Sequence, residues 1–176
     1  MTTLTQLRGG VAVATGSASG LGFAMAVHAR SLGMHCVLSD VRQGPLQDAV
    51  RKLRGAPSGG GAELRVEGFV CDVTSADSVQ DLLASVQGAF AGVPIQFLAA
   101  NAGVLFSGST LLSGTEAEWR TTFDVNVLGV FLTLRAFVPV MARQRERSVV
   151  EVTASAAGVT FGSNGTLRAV FRVHSV

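Results

Sequence analysis

Residues 11–22 read Val11-Ala12-Val13-Ala14-Thr15-Gly16-Ser17-Ala18-Ser19-Gly20-Leu21-Gly22. Val11 to Ala14 form a short apolar run of strand type, and the glycines behind it permit a tight turn into a helix. Such a turn brings backbone N–H groups at a helix N-terminus up to a pyrophosphate, where the positive end of the helix dipole favours an anion. A glycine cluster alone is a weak signal. Its weight here comes from its setting: a strand before it, a helix to about Leu32 after it, and Gly33 where a helix-ending glycine belongs. A second strand covers His35 to Ser39, and Asp40 ends it 18 residues past Gly22. A carboxylate there accepts hydrogen bonds from both ribose hydroxyls and repels a 2′-phosphate, which favours NAD over NADP. Arg42 lies close by and softens that preference, because a guanidinium pairs with phosphate. The plainer alternative for Asp40 is an ordinary turn residue.

Outward from this stretch, short apolar runs alternate with longer helical ones. The pattern predicts a helix over Leu46 to Leu53 and a flexible surface loop over residues 55–61, which carries no chemistry. A third strand follows at Val66 to Cys71, then a helix from about Ser75 to Phe90 with Thr74 or Ser75 as its N-cap. Ile95 to Ala99 reads as a fourth strand and Glu116 to Arg143 as one long helix, its last turn rich in arginine as the dipole favours. Ser148 to Val152 is a fifth strand. The alternation predicts an α/β, doubly wound, Rossmann-like parallel sheet, which right-handed crossovers order 3-2-1-4-5.

Composition narrows the function classes. A chain of 176 residues, 48% hydrophobic and 15% charged, is globular and forms one domain. A net charge of +2 leaves no electrostatic footprint for nucleic acid. No charged residue occurs from Leu82 to Thr115, yet glycines, Pro94, Gln96 and Asn101 interrupt that stretch. The helix around Val125 to Ala142 holds Asn126, Thr133 and Arg135, so both segments are expected to be buried parts of a soluble fold. Met1 to Arg8 has no signal-peptide core. Cys36 and Cys71 give neither a disulfide framework nor a metal-ligand spacing, which points to a reduced, cytoplasmic protein without a metal.

Thr15-Gly16-x-x-x-Gly20-x-Gly22 resembles the glycine motif of the short-chain dehydrogenase/reductase family, and further matches follow in order. Cys71-Asp72-Val73 is similar to the family's Asp-Val after the third strand. Asn101-Ala102-Gly103 is similar to its Asn-Asn-Ala-Gly, with Ala100 in place of the first asparagine. Phe123-Asp124-Val125-Asn126-Val127 resembles the segment that carries its catalytic asparagine, and Thr153-Ala154-Ser155-Ala156-Ala157-Gly158 its serine motif. The resemblance implies a cofactor site of Gly16, Ser19, Gly20, Leu21, Gly22, Asp40, Asp72, Val73, Asn101, Ala102 and Gly103, in which the Asp72 carboxylate contacts adenine. It implies Asn126 and Ser155 as catalytic residues. It also implies hydride transfer between the nicotinamide and a small-molecule secondary alcohol or ketone. Each position has a plainer alternative. Asp72 can cap a helix, Asn101 and Gly103 can form a simple turn, Asn126 can be a buried amide satisfied by backbone, and Ser155 sits in a stretch of small residues.

The matches run from residue 8 to about 165. The family places a tyrosine about 13 residues past its serine and a lysine four further on, along one helix face. Those positions are Arg168 and Arg172, and the chain contains no tyrosine. An arginine does not deprotonate in proteins and cannot replace a phenol. Losing such an acid–base group costs a factor of about 10² to 10⁴, so impaired turnover is expected. The expected division is a dinucleotide-binding domain over residues 1–166, lacking the family's C-terminal part, and a divergent tail over 167–176. A splice form, a frameshift and a truncated gene model all explain such an ending. The rival expectation is an inactive nucleotide-binding or subunit-interaction module that pairs with full-length subunits through the long fourth helix, and a homo-oligomer through the same helix is the expected assembly.

Overall fold

The computed structural model describes residues 4–59, 63–106 and 112–155. Its sheet has five parallel strands: β1 (Val11–Thr15), β2 (His35–Asp40), β3 (Val66–Val70), β4 (Ile95–Ala100) and β5 (Val149–Val152). Their spatial order is β3-β2-β1-β4-β5, the order read from the sequence. The helices are α1 (Gly20–Ser31), α2 (Gln43–Arg54), α3 (Ala76–Ala89), α4 (Glu116–Phe123) and α5 (Gly129–Arg143), preceded by a short 3-10 turn at Leu4–Leu7. The expected domain boundary at 166, and Arg168 and Arg172, lie outside the described residues.

β1 is buried along its whole length, as a central strand covered on both faces must be. Alternate side chains of such a strand enter opposite layers. Val11 and Val13 join Val79, Leu82, Val86, Phe137 and Met141 on the α3/α5 side. Ala12 joins Leu38, Ala26, Ala29, Leu46 and Leu53 on the α1/α2 side. The small alanines of β1 and α1 let this second layer pack closely. The chain leaves α1 through Gly33 at φ 88°, in the left-handed region where glycine carries no Cβ penalty.

Several boundaries differ from expectation. α2 begins at Gln43, because Pro45 is tolerated in a first turn whose N–H groups lack intrahelical partners anyway. Ser75 is the N-cap of α3 and accepts the Ser78 amide. The described flanks of the 55–61 loop are tied down. Arg30, buried in α1, donates to the carbonyls of Arg54, Ala56 and Leu64. The expected helix over Glu116–Arg143 is interrupted at Asp124–Leu128 by a π turn, and it opens with an unforeseen capping box between Thr115 and Glu118.

By length and composition Glu116–Arg143 is apolar enough to cross a membrane. One of its faces lies in the core through Ala136, Phe137 and Met141. The other exposes Phe123, Leu128, Phe131 and Val138. Phe137 is 0% exposed and Phe131 51%. Phe137→Ala is therefore expected to lower stability by about 3–5 kcal/mol in urea unfolding. Phe131→Ala should cost below about 1 kcal/mol, as for a surface position. The opposite ranking would mean that α5 faces the sheet with its other side.

Candidate functional site

At the C-terminal ends of the strands, where β1 and β4 diverge toward opposite faces of the sheet, lies a cleft of about 840 Å³. Ligand sites of open α/β sheets occupy this switch point. Gly16, Ser19 and Leu21 line it from the glycine-rich turn and the first turn of α1. Asp40 lines it from β2, Asp72 and Val73 from the loop after β3, and Asn101, Ala102 and Gly103 from the loop after β4. Asn126 and Ser155 complete the wall. Eleven of the thirteen residues picked from the sequence thus share one cleft. Gly20 and Gly22 do not line it and stand in the first turn of α1.

The glycine-rich turn is packed against the end of β4 too closely for side chains. A Cβ on Gly16, whose φ is 60°, would come within 2.7 Å of the Ala102 Cα. One on Gly22 would lie 2.6 Å from Asn101 Nδ2 and 2.7 Å from the Gly16 carbonyl oxygen. Thr15, which sequence reasoning gave no role, fastens the two segments. Its hydroxyl accepts the amides of Asn101 and Ala102, each at 3.1 Å, and donates to the Ala99 carbonyl at 3.3 Å. Ser17, also missed, ties the turn to β2 by accepting the Ser39 amide at 2.9 Å. The only signal for Thr15 was its place before Gly16 in the motif; Ser17 had none.

Ser19 is the N-cap residue of α1 but its side chain makes no capping hydrogen bond. The first turn therefore keeps donors for an acceptor in the cleft. Asp40 is buried at the strand end, and both its oxygens are engaged. Oδ1 accepts the Arg42 amide at 3.0 Å and Arg42 Nε at 2.9 Å; Oδ2 accepts the Ala18 amide and Arg42 Nη2, each at 3.2 Å. Burial by itself pushes this carboxyl up, but the Arg42 guanidinium and the two amides outweigh it and hold Asp40 below the usual carboxylate range. The partnership in turn raises Arg42. Arg42 also reaches to 3.5 Å from Ser19 Oγ, so carboxylate and guanidinium stand together at the cleft mouth.

Asp72 does not cap α3. Its Oδ1 accepts the amide and hydroxyl of Thr74 within the turn, and its own amide donates to Ser78 Oγ. Asn126 lies in the π turn and pairs with the Val104 backbone both ways, Oδ1 accepting the amide at 2.8 Å and Nδ2 donating to the carbonyl at 3.0 Å. That pairing is close to the plainer expectation of an amide satisfied by backbone. Each end of the amide still keeps one further site, an acceptor lone pair and a donor hydrogen. Burial raises the Cys71 thiol, which leaves it neutral in the cleft wall.

A family model described as short chain dehydrogenase matches residues 10–166. The chain belongs to that family. Dehydrogenase/reductase SDR family member 4 of Pongo abelii is 35% identical over 157 residues, which are 89% of this chain and 54% of the relative. The chain spans about half the length of the curated relatives it matches first. Among solved structures, a short chain dehydrogenase/reductase from Burkholderia phymatum in complex with NAD superposes with a TM-score of 0.80 at 37% identity. That match covers 91% of this chain and 54% of the other. A metagenomic short-chain oxidoreductase in complex with NADP gives a TM-score of 0.78 at 30% identity, covering 92% and 69%.

The close approach around Gly22 is testable by substitution. Gly22→Ala is expected to cost about 1–3 kcal/mol, the usual cost of overpacking, because two of its neighbours are backbone atoms. Gly44→Ala, with nothing within 4 Å in the first turn of α2, should be neutral or stabilising by up to about 1 kcal/mol. Thermal melts of the two variants that agreed with each other would refute the close contact.

Proposed function

We propose that this chain forms the dinucleotide site of an NAD(H)-dependent oxidoreductase acting on a secondary alcohol or ketone, with impaired turnover in the chain itself. The observation that carries the reading is the buried Asp40 carboxylate at the end of β2, beside an α1 N-terminus without a side-chain cap. An adenosine ribose needs the first and a pyrophosphate the second. The NAD complex among the structural neighbours supports this cofactor, while the NADP complex fits the guanidinium of Arg42.

In this reading the amides of the first α1 turn hold the pyrophosphate, and Gly16 and Gly22 let the glycine-rich turn pack against the loop after β4 so that the cleft forms. Asp40 accepts the ribose hydroxyls after exchanging its Arg42 hydrogen bonds, and Asp72, Val73 and Asn101 to Gly103 form the adenine and ribose walls. A bound nicotinamide supplies hydride exchange at its C4. Ser155 donates a hydrogen bond to the substrate oxygen, and the remaining sites on the Asn126 amide hold a water of the proton relay. At the sequence spacing from Ser155 where the family has its tyrosine and lysine, this chain has Arg168 and Arg172, and an arginine does not deliver or take the proton. The same reading puts the protein in the cytoplasm, in keeping with two buried, unpaired thiols, and takes the Glu116–Arg143 helix as a core helix of a soluble enzyme.

A second reading, a non-catalytic module that pairs with another copy, is favoured by the apolar stripe of Phe123, Leu128 and Phe131 on the long helix. Titration separates the two readings from each other and from an NADP enzyme. NADH should bind more tightly than NADPH, and Asp40→Ala should narrow the gap; tighter NADPH binding by the unmutated chain refutes the assignment. Turnover of secondary alcohols should lie at least about 10² below that of a complete relative, the lower end for a lost acid–base group. Undiminished turnover would overturn the proposed impairment, and binding with no turnover at all would select the module.

A further inference from the structure

Glu151 is the charged residue of β5, in register with Ala99 of β4. Its Oε2 is buried without a hydrogen-bond partner among the described residues. Its Oε1 lies 3.5 Å from Thr153 Oγ1, which lies 2.9 Å from Asn101 Oδ1. Asn101 is fixed at its other end. Nδ2 donates to the carbonyls of Thr15 at 3.0 Å and Gly16 at 3.3 Å, so its oxygen can only face Thr153 as an acceptor.

The direction of the chain follows from counting protons. Thr153 has one hydroxyl hydrogen, and the short contact assigns it to Asn101. Thr153 Oγ1 then meets Glu151 as an acceptor, and an ionised carboxylate has only acceptors to offer. A neutral Glu151 carboxyl can donate from Oε1 to Thr153, and it leaves at the buried Oε2 an uncharged acceptor in place of a share of a negative charge. We propose that Glu151 is a positioning residue for the dinucleotide cleft: its protonated carboxyl donates to Thr153, which keeps Asn101 and, through it, the Thr15–Gly16 turn in place. The inference rests on the proposed cofactor site and adds a control on that site.

Burial pushes the Glu151 carboxyl above its ordinary value, and the Thr153 hydroxyl offsets this only in part. The charged or titratable groups on flanking elements are His28 and Arg30 of α1, Arg135 and Arg143 of α5, and Arg145, Glu146 and Arg147 before β5. β4 contributes none, and none of these groups enters the Glu151 shift. A raised folded-state value means the chain is complete at low pH and is lost as pH rises through that value. Ionised Glu151 draws the Thr153 hydrogen to itself, and Asn101 Oδ1 loses its donor.

The test compares the full chain with Glu151→Gln, whose amide donates to Thr153 at every pH. NADH affinity and the Asn101 side-chain amide resonances in 15N-resolved NMR are followed from about pH 5 to about pH 9, upward from the ordinary carboxylate value. In the unmutated chain the Asn101 resonances should titrate, with NADH binding weakening about fivefold in step, the worth of one ordinary hydrogen bond. In Glu151→Gln both should stay at their low-pH values. Static Asn101 resonances in the unmutated chain, or the same titration in both proteins, overturn the proposal. Moving resonances with pH-independent affinity reduce Glu151 to a structural role and overturn it too. If neither protein binds NADH at any pH, the cofactor reading itself has failed, and the resonances report separately on the hydrogen-bond chain.

Discussion

The Thr15 hydroxyl joins the ends of two strands, and the cleft exists because of that junction. It accepts two amides from the loop after β4 and donates to a β4 carbonyl, so the glycine-rich turn and the Asn101–Gly103 loop form one rigid rim. The same rim demands a missing Cβ at Gly16 and at Gly22. Side chains there would separate the segments and remove the concavity in which an anion meets the α1 N-terminus. The order of the strands, the two-layered core and the short connections all serve to deliver these two loops to the same edge.

At the far end of the rim, Asp40 is held by an internal cation, which ribose hydroxyls would displace in the proposed function. The Arg42 side chain is 56% exposed against 5% for Asp40, so water screens the guanidinium and can solvate it once it leaves the carboxylate. The two Asp40 oxygens also accept backbone amides that remain after the guanidinium has left. The carboxylate therefore keeps its orientation when its exposed partner is exchanged, as the proposed ribose contact requires. Salt in the medium weakens the internal pair and eases the exchange.

Much of this was legible in the sequence where residues act locally. An apolar run, three glycines and a later aspartate are enough to read β1, α1, β2 and the glycine-rich turn between the first two. Thr15 was not legible, since its partner Asn101 is 86 residues away and its function appears only when β4 arrives beside β1. Glu151 was passed over inside an apolar run because a strand pattern tolerates one charge, and nothing local shows that its carboxyl is buried. The start of α2 was misplaced by three residues, because Gln43, Gly44 and Pro45 carry no apolar periodicity. The π turn at Asp124–Leu128 escaped notice because the apolar period continues on both sides of it. Its causes are tertiary: Asn126 pairs with the Val104 backbone, and a Cβ on Gly129 would approach Val73 to 2.7 Å.

That π turn is in effect a one-residue insertion retained inside a helix. Each residue of a regular α-helix advances the chain by about 100°, so an extra residue rotates everything after it by roughly that angle. Deleting one residue from 124–128 would restore a regular ladder of hydrogen bonds and a locally better helix. It would also break phase, swinging Phe137 away from the sheet if Asn126 kept its place, or Asn126 away from Val104 if Phe137 did. The irregularity lets one helix satisfy two separate alignments, one set by the core and one by the cleft.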